Sequence, residues 1–263
     1  MAKSKINSFI KRLVTTLVLV PVVVGCVLGG RASVSMLALV ASALLSWEWA
    51  HMLKGKSEIF FALSYLFLSA VMIMINPVYV GFCAIIVLSF LSFCYWKKET
   101  HKFLRILGLA YIPIGLGSIV FLYDYYGVGI VLWYMSVVWC IDIGGYLFGS
   151  TLKGPKLAPK ISPNKTWAGL FGGMLLAVII SVIACDLFNG MKYWPNAVIL
   201  AGILTFIAQI GDLIESAIKR HLGLKDSSNL IPGHGGIFDR IDGLIFAAPF
   251  AFGLLKILNI AFE

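Results

Sequence analysis

The sequence predicts an all-α integral membrane protein of about nine transmembrane helices, with a cytoplasmic N-terminus and a polar cavity at the cytoplasmic ends of the C-terminal helices. Hydrophobic residues make up 60% of the 263 residues and charged residues 13%, and the mean hydropathy is +0.95. Soluble domains of average composition are far less apolar. Apolar segments also recur along the whole chain, each long enough to cross a hydrocarbon core of about 30 Å.

The predicted spans are, in chain order, 13–30, 32–52, 59–76, 77–95, 106–123, 128–149, 168–190, 196–216 and 243–262. We expect the first to be a retained helix rather than a cleaved signal peptide, because eight apolar segments follow it and Arg31-Ala32-Ser33 is a poor cleavage site. The chain is expected to divide into residues 1–127, with about five helices, and residues 128–263, with about four helices and two long cytoplasmic loops.

The basic residues indicate the orientation. Of the 21 Lys and Arg residues, only Arg31 and Lys192 would face the outside if the N-terminus is cytoplasmic, with Lys256 inside the last span. This distribution follows the positive-inside rule. It also explains most of the net charge of +9, which therefore does not indicate a nucleic-acid partner. The five cysteines all lie in apolar stretches without a CxxC pair, and we expect them to pack as small residues.

The charged side chains concentrate between Asp212 and Asp242, a block that contains nine of the 33 charged residues and two of the four histidines. Charges flanked by apolar helices are costly and call for a functional explanation. Six carboxylates are expected at the cytoplasmic helix ends and in the last loop, and they suggest a divalent-metal site for polyanionic ligands. They are Asp142, Asp212, Glu215, Asp226, Asp239 and Asp242.

The end of the eighth predicted helix carries acids and bases on one face. Its residues are Asp212, Glu215, Ser216, Lys219 and Arg220. Their offsets of three, four, seven and eight residues from the first align them along the helix. An interfacial helix whose basic side chains snorkel would show the same pattern, and this alternative stays open. Asp239 and Asp242 bring a second carboxylate pair to the start of the ninth helix, so the two helix ends can hold a hard cation.

Two loop segments suit anionic groups. In the last loop, Gly233, Gly235 and Gly236 would let backbone N–H groups approach phosphate oxygens and His234 can donate a hydrogen bond, although a simple inter-helix turn also uses glycines. The loop 150–167 combines three prolines with four lysines in a rigid cationic strap, for which an ordinary positive-inside loop is the alternative. A Walker A loop is excluded, because Pro155 stands where its lysine is required.

Two other helices place polar groups near this cytoplasmic region. Asp142 shares a face of the sixth predicted helix with Gly145, Tyr146 and Gly149, which predicts close helix packing beside a carboxylate that points to a polar cavity. Glu48 and His51, near the end of the second helix, are expected either to join the pocket or to form a satisfied helix-end pair.

Residues 216–242 resemble the signature of CDP-diacylglycerol synthases, also called phosphatidate cytidylyltransferases. The resembling positions are Ser216, Lys219, Arg220, Lys225, Asp226, Ser228, Ile231, Pro232, His234, Gly235, Gly236, Ile237, Asp239, Arg240, Ile241 and Asp242. Upstream, Asp142-x-x-Gly145-Tyr146-x-x-Gly149 and Ile161-Ser162-Pro163-x-Lys165-Thr166-Trp167-x-Gly169 are also similar to family segments. Ala168 departs from the family pattern, in which Glu is expected after the tryptophan, and this puts one minor contact of the strap in doubt.

The resemblance implies transfer of a cytidylyl group from CTP to phosphatidate, which gives CDP-diacylglycerol and pyrophosphate for phospholipid biosynthesis. It implies Mg²⁺ as the cofactor, bound by Asp212 and Asp239, and leaves room for a second, monovalent cation such as K⁺. The expected catalytic residues are Asp212, Ser216, Lys219, Arg220, Asp239 and Asp242. The expected substrate-binding residues are Asp142, Lys160, Ser162, Lys165, Lys225, His234, Gly235, Gly236 and Arg240.

Three other classes of protein compete with this function. A CDP-alcohol phosphotransferase would need Ala-Arg where Phe246-Ala247 stands. A CTP-dependent polyprenol or phytol kinase would use similar contacts, and only its product, CDP rather than pyrophosphate, separates it. A transporter would place acids near the bilayer midplane, whereas these cluster on one side. We expect the bacterial inner (plasma) membrane as the location, with the active site facing the cytoplasm, and a homodimer through the first helices stays open.

Overall fold

The computed structural model describes residues 17–54, 58–74, 85–86, 89, 101–188, 194–231 and 235–258. Most of the predicted span 77–95 lies outside the described residues, as does His234. Within the described ranges the helices are α1 (Leu17–Leu28), α2 (Arg31–Leu53), α3 (Glu58–Met74), α4 (Lys102–Thr151), α5 (Trp167–Phe188), α6 (Trp194–His221) and α7 (Phe238–Ile257). Strands β1 (Lys156–Ala158) and β2 (Ser162–Thr166) join α4 to α5.

The predicted all-α membrane class is confirmed, with one short hairpin added. In the described part of the chain, four helical segments are long and apolar enough to cross a membrane, namely Arg31–Leu53, Lys102–Thr151, Trp167–Ala184 and Asn196–His221. Each is longer than most helices of globular proteins. The protein is therefore an integral membrane protein, while the count of nine spans and the orientation stay predictions.

Helix α4 contains a break that the sequence predicted. Its 50 residues would extend about 75 Å as one straight helix, far beyond a hydrocarbon core of about 30 Å. Gly127 interrupts it with φ 77° and ψ −173°, a conformation that is open to glycine and strained for other residues. The break lies in the interval left between the predicted spans 106–123 and 128–149. Pro113 remains inside the first of these helical arms.

The chain divides into two compact units, and each is continuous in space but not in sequence. The first unit contains Met1–Val120 and Leu222–Ile241, and the second contains Phe121–His221 and Asp242–Glu263. The second unit thus takes all of the hairpin, α5 and α6, and most of α7. The predicted boundary at residues 127 and 128 stays a prediction.

The first unit is organised around buried aromatic rings. Trp49 on α2 is buried, donates from Nε1 to the carbonyl of Leu104 at 3.0 Å and packs edge-on against Phe238 with ring centroids 5.2 Å apart. Arg105 is also buried, and its guanidinium lies 4.9 Å from the Phe61 ring centroid. This contact is a cation–π interaction, which offsets part of the cost of burying the Arg105 charge. The core therefore ties the end of α2 to α3, α4 and residue 238.

The second unit depends on close approach of α4 and α5 through glycine. A Cβ atom on Gly144 would collide with the backbone of Gly173, and one on Gly172 would collide with the Phe148 ring. Close packing of α4 is therefore present, but its tightest contact is at Gly144, outside the predicted face of Asp142, Gly145, Tyr146 and Gly149. Gly145, on the predicted face, has open space where its Cβ would stand. Small residues let two helix backbones approach this closely.

Part of the loop 150–167 forms a regular hairpin, which the sequence did not predict. β1 and β2 pair antiparallel, with Lys156 opposite Thr166 and Ala158 opposite Ser162. Pro159 lies in the turn and Pro163 within β2, positions that a two-stranded hairpin tolerates because each strand has a free edge. The prolines predict a rigid strap, and the hairpin gives the lysines of this segment defined positions.

Candidate active site

Three carboxylates form an acidic triad in the second unit. Asp212 and Glu215 lie three residues apart on α6, and Asp242 lies in α7. One carboxylate oxygen from each lies within 4.8 Å of the others. Glu215 is 2% exposed and Asp242 9% exposed, while Asp212 is half-buried. Carboxylates this close repel one another unless a cation lies among them, so the triad needs positive charge.

Two lysines supply positive charge to the triad. Lys165, on β2, forms an ion pair with Asp212, and Lys219 Nζ lies 2.6 Å from Glu215 Oε2. Burial lowers the pKa of Lys165, whereas the carboxylates of Asp242, Asp142 and Glu215 act in the opposite direction. Lys219 reinforces the lowering as a like charge. The hairpin thus brings a lysine to the triad that is 47 residues from its partner in sequence.

The two helices of the triad pack closely, and hydrogen bonds within each helix hold two of its carboxylates. Gly211 packs so closely on α7 that a Cβ atom there would lie 2.5 Å from Phe246 Cβ. Within α7 the N–H of Gly243 donates to Asp242 Oδ1 at 2.7 Å, and within α6 Ser216 Oγ donates to Asp212 Oδ1 at 3.4 Å. Each of these hydrogen bonds restricts where a triad carboxylate can point. The triad is therefore presented by packed helix backbone rather than by a loose loop.

The triad fits a metal ion by the chemistry of its donors. Hard divalent cations such as Mg²⁺ and Ca²⁺ prefer oxygen ligands, and carboxylates are their usual protein ligands. Asp212, Glu215 and Asp242 offer three such groups at one point of the protein. The neighbouring ammonium groups of Lys165 and Lys219 suit the oxygens of a phosphorylated substrate bound to the same cation.

Asp239 has a separate set of partners, in the first unit. Its carboxylate accepts hydrogen bonds from the backbone N–H groups of Ser227, at 3.0 Å, and Gly236, at 2.8 Å. The Ser227 hydroxyl lies 3.1 Å from the same Oδ2 atom. Gly235 has φ 85° and pairs through its carbonyl with the N–H of Ile231. Residues 227 and 236 therefore hold this carboxylate from both sides of the loop before α7.

Glu48, for which the sequence left two roles open, is a buried carboxylate of the first unit. Its side chain is 0% exposed, and four donors of the loop and the first turn of α7 lie within hydrogen-bond distance of its carboxylate. Oε1 accepts from Ser228 Oγ and from the N–H of Ile237, at 2.5 and 2.9 Å. Oε2 accepts from Ser227 Oγ and from the N–H of Phe238, at 3.2 and 2.8 Å.

A cavity of about 460 Å³ lies beside this loop in the first unit. Trp47 and His51 line it from α2, and residues 224 and 226–230 line it from the loop. The Trp47 and His51 rings stack with centroids 5.1 Å apart, and His51 Nδ1 lies 2.9 Å from Glu58 Oε1. His51 thus lines this cavity and pairs with Glu58 on α3 rather than with Glu48, while its membership of the catalytic pocket stays a prediction.

The other predicted site residues fall into two groups. In the second unit Asp142 is exposed on α4, Lys160 is exposed in the hairpin turn, Ser162 begins β2, and Arg220 donates from Nε to the carbonyl of Ile161 at 3.4 Å. In the first unit Lys225 and Arg240 are exposed. Glu215 is one of the six carboxylates that suggest a metal site but is not among the expected catalytic, substrate-binding or metal residues, although its offset of three residues from Asp212 is a signal for it.

The fold and the triad define a class, a multi-span helical membrane protein with a buried carboxylate site flanked by lysines. The family model described as the cytidylyltransferase family matches residues 10–258, and the chain belongs to this family. A protein of Brucella suis is 32% identical over 249 residues, which cover 90% of this chain and 89% of the relative. It is named phosphatidate cytidylyltransferase.

Two further relatives carry the same name. The protein of Rickettsia felis is 39% identical over 166 residues, which cover 60% of this chain and 73% of the relative. The protein of Bacillus subtilis is 36% identical over 179 residues, which cover 66% of each. The Brucella suis match extends far beyond the last 130 or so residues, to which the motif resemblance was confined.

Proposed function

We propose that this chain is a phosphatidate cytidylyltransferase, which converts CTP and phosphatidate into CDP-diacylglycerol and pyrophosphate. The observation that carries the proposal is the acidic triad with Lys165 and Lys219 beside it. Membership of the cytidylyltransferase family and the names of the relatives support the same reaction. In this reaction two polyanions meet, so a site with a cation and lysines is what the chemistry requires.

The reaction is an in-line displacement at the α-phosphorus of CTP. A phosphate monoester carries about −1.5 to −2 charge at pH 7, so the phosphatidate oxygen attacks without a dedicated general base. A bond forms between this oxygen and the α-phosphorus while the bond from the α-phosphorus to the bridging oxygen breaks, and pyrophosphate leaves. The protein therefore contributes mainly positioning and charge neutralisation.

We propose Mg²⁺ as the metal, held by Asp212 with Glu215 and Asp242. Bound there, the ion would neutralise charge on the triphosphate. Asp239, three residues before Asp242 in α7, remains our proposal for a further carboxylate that binds the metal or its substrate. Lys165 and Lys219 would bind phosphate oxygens, with Lys225, Arg240 and Arg220 as further cations for the two substrates. A second, monovalent cation such as K⁺ belongs to the same proposal.

We also propose that the N-terminus and the site face the cytoplasm of a bacterial inner membrane. Nearly all Lys and Arg residues then lie on the cytoplasmic side, as the positive-inside rule requires. CTP is supplied from the cytoplasm, while the acyl chains of phosphatidate stay in the bilayer. A cysteine-accessibility assay with single cysteines placed in the 150–167 loop and at the outer turn near Lys192 tests the orientation.

The activity test uses protein purified in detergent with phosphatidate and labelled CTP. We expect a lipid-bound cytidylyl product together with pyrophosphate, and its loss when EDTA removes divalent metal. A polyprenol or phytol kinase would instead release CDP and would not accept phosphatidate. If no liponucleotide forms with any divalent metal, the proposed function is wrong.

A further inference from the structure

We propose that Glu48 is a positioning residue for Asp239, which fixes the loop from Ser227 to the start of α7 and so sets the direction of the Asp239 carboxylate. The inference rests on the proposed site, in which Asp239 binds the metal or its substrate. Nothing in the reaction itself calls for Glu48. Its role follows from the contacts that it makes within the first unit.

The four donors around Glu48 all belong to this loop or to the first turn of α7. Each carboxylate oxygen accepts one serine hydroxyl and one backbone N–H, from Ser228 and Ile237 at Oε1 and from Ser227 and Phe238 at Oε2. A carboxylate is acceptor-only, so four donors match it fully. These partners lie 179 to 190 residues from Glu48 in sequence. Glu48 therefore ties the end of α2 to the loop.

Two of these contacts fix the first turn of α7. The N–H groups of Ile237 and Phe238 stand at the start of the helix, where backbone donors have no intrahelical acceptor. A negative charge at a helix N-terminus is also favourable. Asp239 is the second residue of α7, so the position of this turn determines where its side chain begins. Glu48 thus acts on Asp239 through the helix start.

Ser227 links the two carboxylates directly. Its hydroxyl lies 3.2 Å from Glu48 Oε2 and 3.1 Å from Asp239 Oδ2. A hydroxyl has one hydrogen and donates to only one of them at a time. The backbone N–H groups of Ser227 and Gly236 hold Asp239 in either case. The Ser227 hydroxyl therefore links the carboxylates of Glu48 and Asp239. The backbone N–H groups keep Asp239 in place whichever carboxylate the hydroxyl donates to.

The close approach also explains the glycine at position 236. A Cβ atom there would lie 2.5 Å from Glu48 Oε1 and would collide with Ser227 Oγ. The loop comes this near to Glu48 only because residue 236 has no side chain. The hydrogen bonds between Glu48 and this loop therefore require a glycine at position 236.

The first experiment compares Glu48→Gln with the wild type. Gln keeps the shape but turns one acceptor into a donor that faces donors, so the loop should shift. We expect kcat to fall, and the half-saturating Mg²⁺ concentration to rise, by about 10- to 100-fold, the range for residues that orient a metal ligand. Without substrates, the affinity for Mn²⁺, measured by electron paramagnetic resonance, should fall by a similar factor. Glu48→Asp, which keeps the charge, should recover part of the loss.

The matched control is Glu58→Gln, which removes a carboxylate of the same unit whose partner is His51 on α2 rather than Ser227, Ser228 or the start of α7. It should behave as the wild type. Hydrogen exchange followed by mass spectrometry supplies a structural measurement. In Glu48→Gln, peptides that cover residues 227–239 should exchange faster, while α3 and α6 should not change.

Ser227→Ala keeps the inference testable if Glu48→Gln does not fold, because it removes only the linking hydroxyl. It should weaken Mn²⁺ binding, by less than Glu48→Gln does.

The inference fails alone if Asp239→Asn is inactive but Glu48→Gln and Ser227→Ala bind metal and turn over as the wild type. If Asp239→Asn retains wild-type activity, the proposed role of Asp239 fails and the inference fails with it. Faster exchange throughout Glu48→Gln, with wild-type Ser227→Ala, would show a general structural role and also contradict the inference.

Discussion

Lys165 on β2 forms an ion pair with Asp212 on α6, so the hairpin delivers a cation to the acidic triad. This ion pair attaches the loop to the site, while the pairing of β1 with β2 fixes the conformation of the loop itself. An ammonium group already held beside the carboxylates is in place when the phosphates of a substrate arrive. Such preorganised charge is a large part of catalysis in phosphoryl transfer.

Replacement of Lys165 by Met should therefore lower kcat/KM for CTP by about 10- to 100-fold, since a hydrogen bond to a charged group contributes about 1.5–3 kcal/mol. Lys165→Arg should retain more activity, because it keeps the charge. Lys256→Met is the control, because Lys256 contacts the Tyr125 and Phe252 rings. Steady-state rates at varied CTP measure the effect. Equal rates for Lys165→Met and the control would contradict the role of Lys165.

Neutralisation of any triad carboxylate should weaken metal binding. We expect Asp212→Asn, Glu215→Gln and Asp242→Asn each to lower kcat by at least about 100-fold, because direct ligands matter more than the groups that orient them. Higher Mg²⁺ should restore part of the rate. Asp124→Asn provides the comparison, since Asp124 is an exposed carboxylate on α4 and no member of the triad. A triad variant with wild-type rate and metal dependence would remove that residue from the proposed ligand set.

Adjacent glycines on α4 should respond in opposite ways to the same change. Gly144→Ala would press a Cβ atom into the Gly173 backbone and should destabilise the protein by about 1–3 kcal/mol, the usual cost of overpacking. Gly145→Ala meets open space and should be neutral or stabilising by up to about 1 kcal/mol, because alanine favours helix. Thermal unfolding in detergent measures both. Similar midpoints for the two variants would contradict the close packing of α4 and α5.

Hydropathy predicted most of the described helices, because a span must be about 20 apolar residues long and this constraint is visible in sequence. Helical spacing likewise placed Asp212 and Glu215 on one face, and the triad confirms that they lie together. The gap at Gly127 was also visible, since the apolar segments on either side were separate.

Contacts between residues that are far apart in the chain leave no periodic pattern in the sequence. Glu48 meets Ile237 across 189 residues, and the spacing of two residues so far apart says nothing about their contact. A glutamate near a helix end has many ordinary roles, so its residue type did not identify it either. The hairpin was not predicted for a different reason: its strands have only three and five residues, too few for a clear alternating pattern in the sequence.

Tyr134 offers a test of how α7 is held beside the triad. Its hydroxyl donates to the carbonyl of Leu244, two residues after Asp242, and the side chain is fully buried. Tyr134→Phe removes the donor and leaves the carbonyl buried without it, so we expect a loss of about 1–3 kcal/mol of stability. Activity should fall as well, because Asp242 loses support for its helix. Tyr125→Phe, at an exposed ring that keeps its aromatic contacts, should match the wild type in both measurements. If Tyr134→Phe unfolds at the wild-type temperature, the hydrogen bond to Leu244 does not hold α7 in place.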